Sequence, residues 1–347
     1  MFREAIQQMT GYTPGEQPRR EKVIKLNTNE NAYPPSPRVV AAIEQAAAGS
    51  LQKYPDPVAT AFRERAAEVL RSDLPEITPE WILCGNGSDD ILTILTRTFV
   101  GEGDVLRYPN PSYVLYKTLA EIQGASVDVV DFAPDWTMGD EFAVPVDRLR
   151  LAYLANPNSP SGTVVPAERV ASLAAAMPCP LVVDEAYGDF ADTNCLGLVA
   201  ENERVIVTRT LSKSYALAGI RFGFAIAQPK VIEQLAKVKD SYNCDMLAIA
   251  AATAAIDDQP WLADNRAKVL ATRGRMITEL RAKGFTVTDS QANFVWCTDS
   301  NRNLKELYES LKQMGVLVRY MPYPGWPEGI RVTVGTDEQV DALLALV

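Results

Sequence analysis

Short apolar runs recur along the middle of the chain, at residues 81–84, 104–108, 126–132, 151–155, 181–184, 205–208 and 222–227. Between them lie stretches whose apolar positions return at helical spacing, at 90–99, 113–123 and 167–176. Strand and helix signals in alternation predict an α/β fold, a mostly parallel sheet covered by helices on both faces. Ligands are then expected at the carboxyl ends of its strands. After residue 257 the pattern changes. A long polar helical stretch at 261–283 is followed by strand, helix, strand, strand and helix, which predicts a smaller α+β unit.

Residues 13–37 hold Pro14, Pro18, Pro34, Pro35 and Pro37, so this segment is expected to be extended, an arm lying over the surface or a neighbour. The alanine clusters at 46–48 and 250–255 read as helix. A chain of 347 residues favours two unequal lobes. The expected organisation is an N-terminal arm over 1–30 that joins the small domain, a large domain over 31–258 and a small domain over 259–347.

Composition narrows the chemistry. Although 47% of residues are apolar, no uninterrupted run approaches the roughly 20 needed to span a bilayer. The first ten residues lack the hydrophobic segment of a secretion signal, so a soluble, cytoplasmic protein is expected. Cys84, Cys179, Cys195, Cys244 and Cys297 are scattered, without the spacing of a zinc site or disulfide framework, and read as buried thiols. The formal charge of −10 argues against nucleic acid or an anionic membrane as the main partner. The chain contains no histidine, which excludes a Ser-His-Asp triad, a His-ligated metal and a phosphohistidine relay. Proton transfer near neutral pH falls to a lysine, tyrosine, cysteine, carboxylate or bound cofactor. No metal site is expected.

Against that background a few strand-end motifs stand out. Thr210-Leu-Ser-Lys213-Ser-Tyr-Ala-Leu-Ala-Gly-Ile-Arg221 follows one apolar run, placing Lys213 at the mouth of the sheet among small hydroxyl residues, Thr210 and Ser212 among them. A lysine that forms an imine must first lose its proton, which desolvation or a nearby cation such as Arg221 promotes. A solvated surface lysine is the plainer alternative. Leu181-Val-Val-Asp184-Glu-Ala-Tyr187 ends another run in carboxylates, where Asp184 reads either as a helix N-cap or as a buried anion paired with a cationic ring nitrogen.

Cys84-Gly85-Asn86-Gly87-Ser88-Asp89-Asp90 joins a strand to a helix. Its glycines let backbone N–H groups converge on an anion, with Ser88 contributing a hydroxyl and Asp89 and Asp90 capping the helix; it also reads as a tight connection and nothing more. Tyr113, after Tyr108-Pro-Asn-Pro-Ser, is placed either to stack on a flat ring or to sit in the core. Asn156-Pro-Asn158-Ser159-Pro-Ser-Gly162 is a turn with amide and hydroxyl groups free to meet a ligand. Arg319 and Arg331 flank a Pro/Gly-rich turn at matching strand positions, suited to clamping a phosphate or carboxylate, though exposed arginines are usually solvated.

Together with Gly11-Tyr12-Thr-Pro-Gly-Glu-Gln-Pro18, Lys25-Leu-Asn-Thr-Asn-Glu-Asn31, Tyr54-Pro-Asp56 and Arg331-Val-Thr-Val-Gly-Thr336, these motifs, in this order, resemble the fold-type-I aminotransferases across nearly the whole chain. Within them they resemble the histidinol-phosphate aminotransferase family. The resemblance implies pyridoxal 5′-phosphate held as an imine by Lys213, with Asp184 on the ring nitrogen, Tyr187 on the phenolic oxygen and Tyr113 stacked on the ring. It implies a phosphate site of Gly87, Ser88, Ser212 and Arg221, with Asp89 and Thr210 in the same cofactor loops. Tyr54 would reach the cofactor across a homodimer with shared sites. Tyr12, Asn29, Arg319 and Arg331 would meet an amino donor such as L-histidinol phosphate, and a 2-oxo acid would take the amino group. One motif departs from the family: Ser159 stands where relatives often carry the asparagine that serves the phenolic oxygen, so either Ser159 or Asn158 would take that role. Transfer from an aromatic amino acid, and a phosphothreonine decarboxylase-like lyase, are the rival activities on the same fold. A cofactor-binding regulator is disfavoured by the acidic charge and the lack of a DNA-binding segment.

Overall fold

The structure is a computed structural model and describes residues 1–11, 15–17 and 23–347. Its strands in chain order are β1 (Ile24–Lys25), β2 (Ile82–Gly85), β3 (Val105–Asn110), β4 (Ser126–Asp131), β5 (Leu149–Ala155), β6 (Leu181–Asp184) and β7 (Val205–Thr210). They continue with β8 (Gly223–Ile226), β9 (Thr286–Val287), β10 (Phe294–Thr298), β11 (Val316–Leu317), β12 (Arg319–Met321) and β13 (Gly329–Thr333).

Seven strands form one sheet in the order β2-β8-β7-β6-β5-β3-β4. The inner strands are apolar on both faces because both are covered. Val183, Val205 and Val207 pack into the hydrophobic core on one side, while Val182 and Ile206 pack into the core on the other. The expected largely parallel sheet is present with one exception: β8 runs antiparallel to both β7 and β2. The twelve residues between β7 and β8 contain no helix, so the chain turns back without the crossover that a parallel pair needs.

The second sheet is antiparallel, β12-β13-β10-β9, and packs with the helices Gln259–Ala282, Leu304–Gln313 and Asp337–Leu344 around a third core. The expected run of one strand, helix, two strands and helix is richer here: β9 and β10 precede Leu304–Gln313 and β11, β12 and β13 follow it. β1 adds in parallel to β11, and Leu26 beside it enters that same core, so the start of the chain is stitched to the second sheet. Pro37, expected in extended chain, instead opens the helix Pro37–Ala47 behind the Ser36 N-cap, a position where its missing N–H costs nothing. The five cysteines are free and buried. Among the described residues no helix is long and apolar enough to cross a membrane, and no group of side chains could hold a metal ion.

Candidate active site

The carboxyl ends of β5, β6 and β7 open into a cavity of about 200 Å³, walled on the other side by Asn27, Thr28, Asn29, Arg319 and Arg331. Asp184 ends β6 and pairs in register with Thr208 on β7, and three residues past the end of β7 Lys213 enters the same cavity. Lys213 Nζ donates to the Thr28 carbonyl at 3.2 Å and lies 5.8 Å from the centre of the Tyr187 ring.

Asp184 is 5% exposed and accepts hydrogen bonds from the Tyr116 hydroxyl at 2.7 Å, Thr208 Oγ1 at 3.1 Å and the Ala186 N–H at 3.3 Å. All three donors are neutral. Burial pushes its pKa above the ordinary carboxylate value, the Tyr116 and Thr208 hydrogen bonds work against the rise, and the charge of Asp89 adds to it. The adjacent Glu185 is treated differently: Arg209 Nη2 closes on it at 2.6 Å and Arg209 Nη1 reaches Asp189 at 2.7 Å. A buried carboxylate facing a cavity without a cationic partner among the described residues fits a ligand that brings its own cation, such as a protonated ring nitrogen.

An anion cradle occupies the other end. Gly87 has φ +85°, and the helix Ser88–Phe99 begins directly after it with Ser88 and Asp89 on the cavity wall, so the helix's free N-terminal N–H groups lie at that end of the cavity. A Cβ at Gly87 would fall 2.5 Å from Arg221 Nη2, so only glycine lets the guanidinium approach. Arg221 Nη1 donates to Ser212 Oγ at 3.3 Å, and Thr210 Oγ1 donates to the same oxygen at 3.0 Å. Ser88, Thr210, Ser212 and Arg221 thus converge in a form suited to a phosphate. Asp89, expected to cap the helix, instead accepts from Arg221 Nη2 at 3.4 Å and from the Tyr113 hydroxyl at 3.1 Å. Asp90 closes the turn, accepting from the Asn86 N–H at 2.9 Å. Asp89, one residue earlier, sits roughly 100° round the helix from Asp90, on the side of Arg221.

Tyr113 and Tyr187 both line the cavity, and Asn29 Nδ2 donates to the Tyr187 hydroxyl at 2.9 Å. Of the pair Asn158 and Ser159, the serine faces the cavity. Asn158 is 1% exposed, is absent from the cavity wall and spends its amide on the Pro111 carbonyl and Ser161 Oγ, so it holds the loop instead of meeting a ligand. Arg331 Nη1 donates to Ser159 Oγ at 2.7 Å, while Arg331 Nε is buried with no hydrogen-bond partner among the described residues. Arg319 lines the same wall. Tyr54 lies elsewhere: it is 80% exposed and stacked on Tyr242 with ring centres 4.4 Å apart. Tyr12 lies outside the described residues.

Sequence reasoning missed Tyr116, Thr208 and Asn31. Asn31 Nδ2 donates to the Lys213 and Ser214 carbonyls, both at 3.0 Å, and so steadies the lysine loop from the N-terminal arm. The sequence carried no signal for Tyr116, whose partner Asp184 lies 68 positions away. For Thr208 the signal was the strand register, and for Asn31 there was none.

Residues 21–347 match the family Aminotransferase class I and II. The histidinol-phosphate aminotransferase of Rhodopirellula baltica is 56% identical over 346 residues, covering 100% of this chain and 94% of that protein. Histidinol-phosphate aminotransferase 1 of Trichormus variabilis is 43% identical, over 97% of this chain and 95% of its own. Among solved structures, the histidinol-phosphate aminotransferase of Sinorhizobium meliloti in complex with pyridoxal-5′-phosphate superposes with a TM-score of 0.89 at 28% identity, over 99% of this chain and 95% of that one. The fold and the matches along its full length agree, and the chain belongs to the class I and II aminotransferases, on the branch of the histidinol-phosphate aminotransferases.

Proposed function

We propose that the protein transfers the amino group of L-histidinol phosphate to 2-oxoglutarate, giving imidazole acetol phosphate and L-glutamate, as a step of histidine biosynthesis. The cofactor is pyridoxal 5′-phosphate. The observation that carries the reading is the pairing of Asp184, buried without a cation, with Lys213, the sole lysine on the wall of the same cavity among the described residues. When bound, the cofactor supplies an electron sink for the carbanion left at the substrate α-carbon, strongest when its ring nitrogen is protonated.

The positions of the chain's own residues support the following roles. Asp184 would accept from the ring N–H, and Tyr187, held by Asn29, would donate to the phenolic oxygen. Ser159 lines the same cavity as Tyr187, though its oxygen is shared with Arg331. Tyr113 would cover a ring face, and Gly87, Ser88, Ser212 and Arg221 would receive the phosphate. Lys213 Nζ would hold the cofactor, and as a free amine it would take the proton from the substrate α-carbon and give it back. Arg319 and Arg331 receive the phosphate of the amino donor, the unpartnered Arg331 Nε being a donor ready for one of its oxygens.

The site includes a second copy of the chain. Tyr54 borders an exposed apolar groove with Pro55, Met246 and Ile249, and in a homodimer it would reach the partner's cavity. Five free, buried cysteines suit a reducing compartment, and we place the reaction in the cytoplasm. The test is a panel of half-reactions: holoenzyme is mixed with histidinol phosphate, phenylalanine, glutamate and phosphothreonine, and the cofactor's aldehyde-form absorbance is followed. Histidinol phosphate and glutamate should bleach it. Bleaching by phenylalanine but not histidinol phosphate would give the aromatic activity instead, and carbon dioxide released from phosphothreonine would give the lyase.

A further inference from the structure

A carboxylate offers about four lone-pair directions. In Asp184, Oδ1 accepts from Thr208 and from the Ala186 N–H, and Oδ2 accepts from the Tyr116 hydroxyl at 2.7 Å. The direction left over belongs to Oδ2, and Asp184 lines the cavity. Any cationic N–H presented from the cavity therefore shares Oδ2 with the Tyr116 phenol.

Tyr116 is built to stay there. It is 0% exposed, its ring stacks on Tyr153 at 4.6 Å and 8°, and Tyr113 meets it edge-on at 5.6 Å and 87°. Tyr153 is pinned in turn, donating to the Leu92 carbonyl at 2.9 Å and lying 2.8 Å from Thr96 Oγ1. Burial, then the charge of Asp184, holds the Tyr116 phenol far above its ordinary pKa, so it remains a donor.

We propose that Tyr116 is a positioning residue for the transamination: by donating to Asp184 Oδ2 it fixes the carboxylate's rotation and tempers the basicity of the oxygen that a ring N–H must use. The inference rests on the cofactor reading of the cavity. One proton is shared between the ring nitrogen and Oδ2. A carboxylate already holding a phenol is the weaker base, so that proton stays on nitrogen, where it strengthens the electron sink. Without the phenol, Oδ2 draws the proton back.

Tyr116→Phe keeps the stack on Tyr153 and removes only the donor. The protein is reconstituted with cofactor labelled with ¹⁵N in the ring, and the nitrogen resonance is recorded beside steady-state kinetics. In the wild type the resonance should lie at the protonated position. In Tyr116→Phe it should move toward unprotonated pyridine, with kcat lower by about tenfold or more, the loss of one hydrogen bond to a charged group, and KM for histidinol phosphate within about threefold. A resonance that stays at the wild-type position in Tyr116→Phe overturns the inference, whether kcat falls or not. 3-Fluorotyrosine at position 116, a stronger donor of nearly the same shape, should leave the nitrogen protonated and kcat near wild type; a shift toward pyridine there also overturns it. Wild-type protein that takes up no cofactor would refute the reading of the cavity itself, an outcome distinct from cofactor bound normally with an unresponsive nitrogen.

Discussion

Arg319 and Arg331 are register partners across the antiparallel β12–β13 pair, and both side chains reach the wall of the cavity. Directly opposed residues in such a pair share one face of the sheet, so two guanidinium groups are held side by side. An anion placed against that face could be met by both guanidinium groups. A protein of formal charge −10 repels a phosphorylated substrate at long range, so its recognition has to be local, and we propose that this pair supplies it.

Arg331→Ala should therefore lower kcat/KM for histidinol phosphate by roughly tenfold to a hundredfold, the loss of one charge-assisted hydrogen bond of about 1.5–3 kcal/mol. Unphosphorylated histidinol should lose far less, and the bound cofactor's absorbance should not change. Arg331→Lys should recover only part, since an ammonium lacks the bidentate fork. Equal losses for both donors would assign Arg331 to a carboxylate or to holding the wall together, and the aromatic activity would gain.

Asp184 carries a cost in the cofactor-free protein. Its folded pKa lies above its unfolded value because of burial, so the folded state binds the extra proton and stability falls as pH rises through the folded pKa. Asp184→Asn removes that ionisation. The cofactor-free variant should melt higher than cofactor-free wild type, by on the order of 2 °C for each 1 kcal/mol recovered. The gap should be widest at neutral pH and should close as the pH is lowered. A variant that melts lower at neutral pH would mean that the hydrogen bonds to Asp184 outweigh its burial.

The Glu185–Arg209 pair lies behind the site and braces it. Glu185 Oε1 also accepts from the Cys195 N–H at 2.5 Å, tying β6 to the loop before the helix Leu198–Glu201. Removing one partner of a buried pair leaves the other charge uncompensated, at about 3–5 kcal/mol. Glu185→Ala should cost about 3 kcal/mol in denaturant unfolding, near the lower end because Asp189 still holds Arg209. A loss below about 1 kcal/mol would mean that Asp189 suffices alone.

Much of this architecture was legible in the sequence because it is set by local chemistry. The apolar run 181–184 ends at Asp184 in both the reading and the structure, and Gly87 and Ser88 stand at a strand-to-helix turn as their residue types require. What was illegible depends on packing between distant segments. Tyr116 meets Asp184 across 68 positions, and nothing in a helix whose inner face is apolar announces a hydrogen bond. The turn of Asn158 away from the cavity follows from its contacts with Pro111, Ser112 and Ser161, and only Ser161 is near it in sequence. The antiparallel β8 was hidden because an apolar run carries no direction.

The shared-site reading has its own test. Lys213→Ala and Tyr54→Phe chains, each inactive or impaired alone, are mixed under conditions of proven subunit exchange. If Tyr54 serves the partner's cavity, hybrid dimers hold one site with both native residues and activity should return to as much as roughly a quarter of wild type, half of the chains being in hybrids and half of their sites intact. No recovery would contradict a shared site.

The central claim is that Lys213 carries the cofactor, and reduction with borohydride followed by peptide mapping tests it most directly. The account predicts a single modified peptide bearing the cofactor on Lys213, and no trapped cofactor in Lys213→Ala. Cofactor trapped on another lysine of the wild type, or still trapped in the variant, would contradict it.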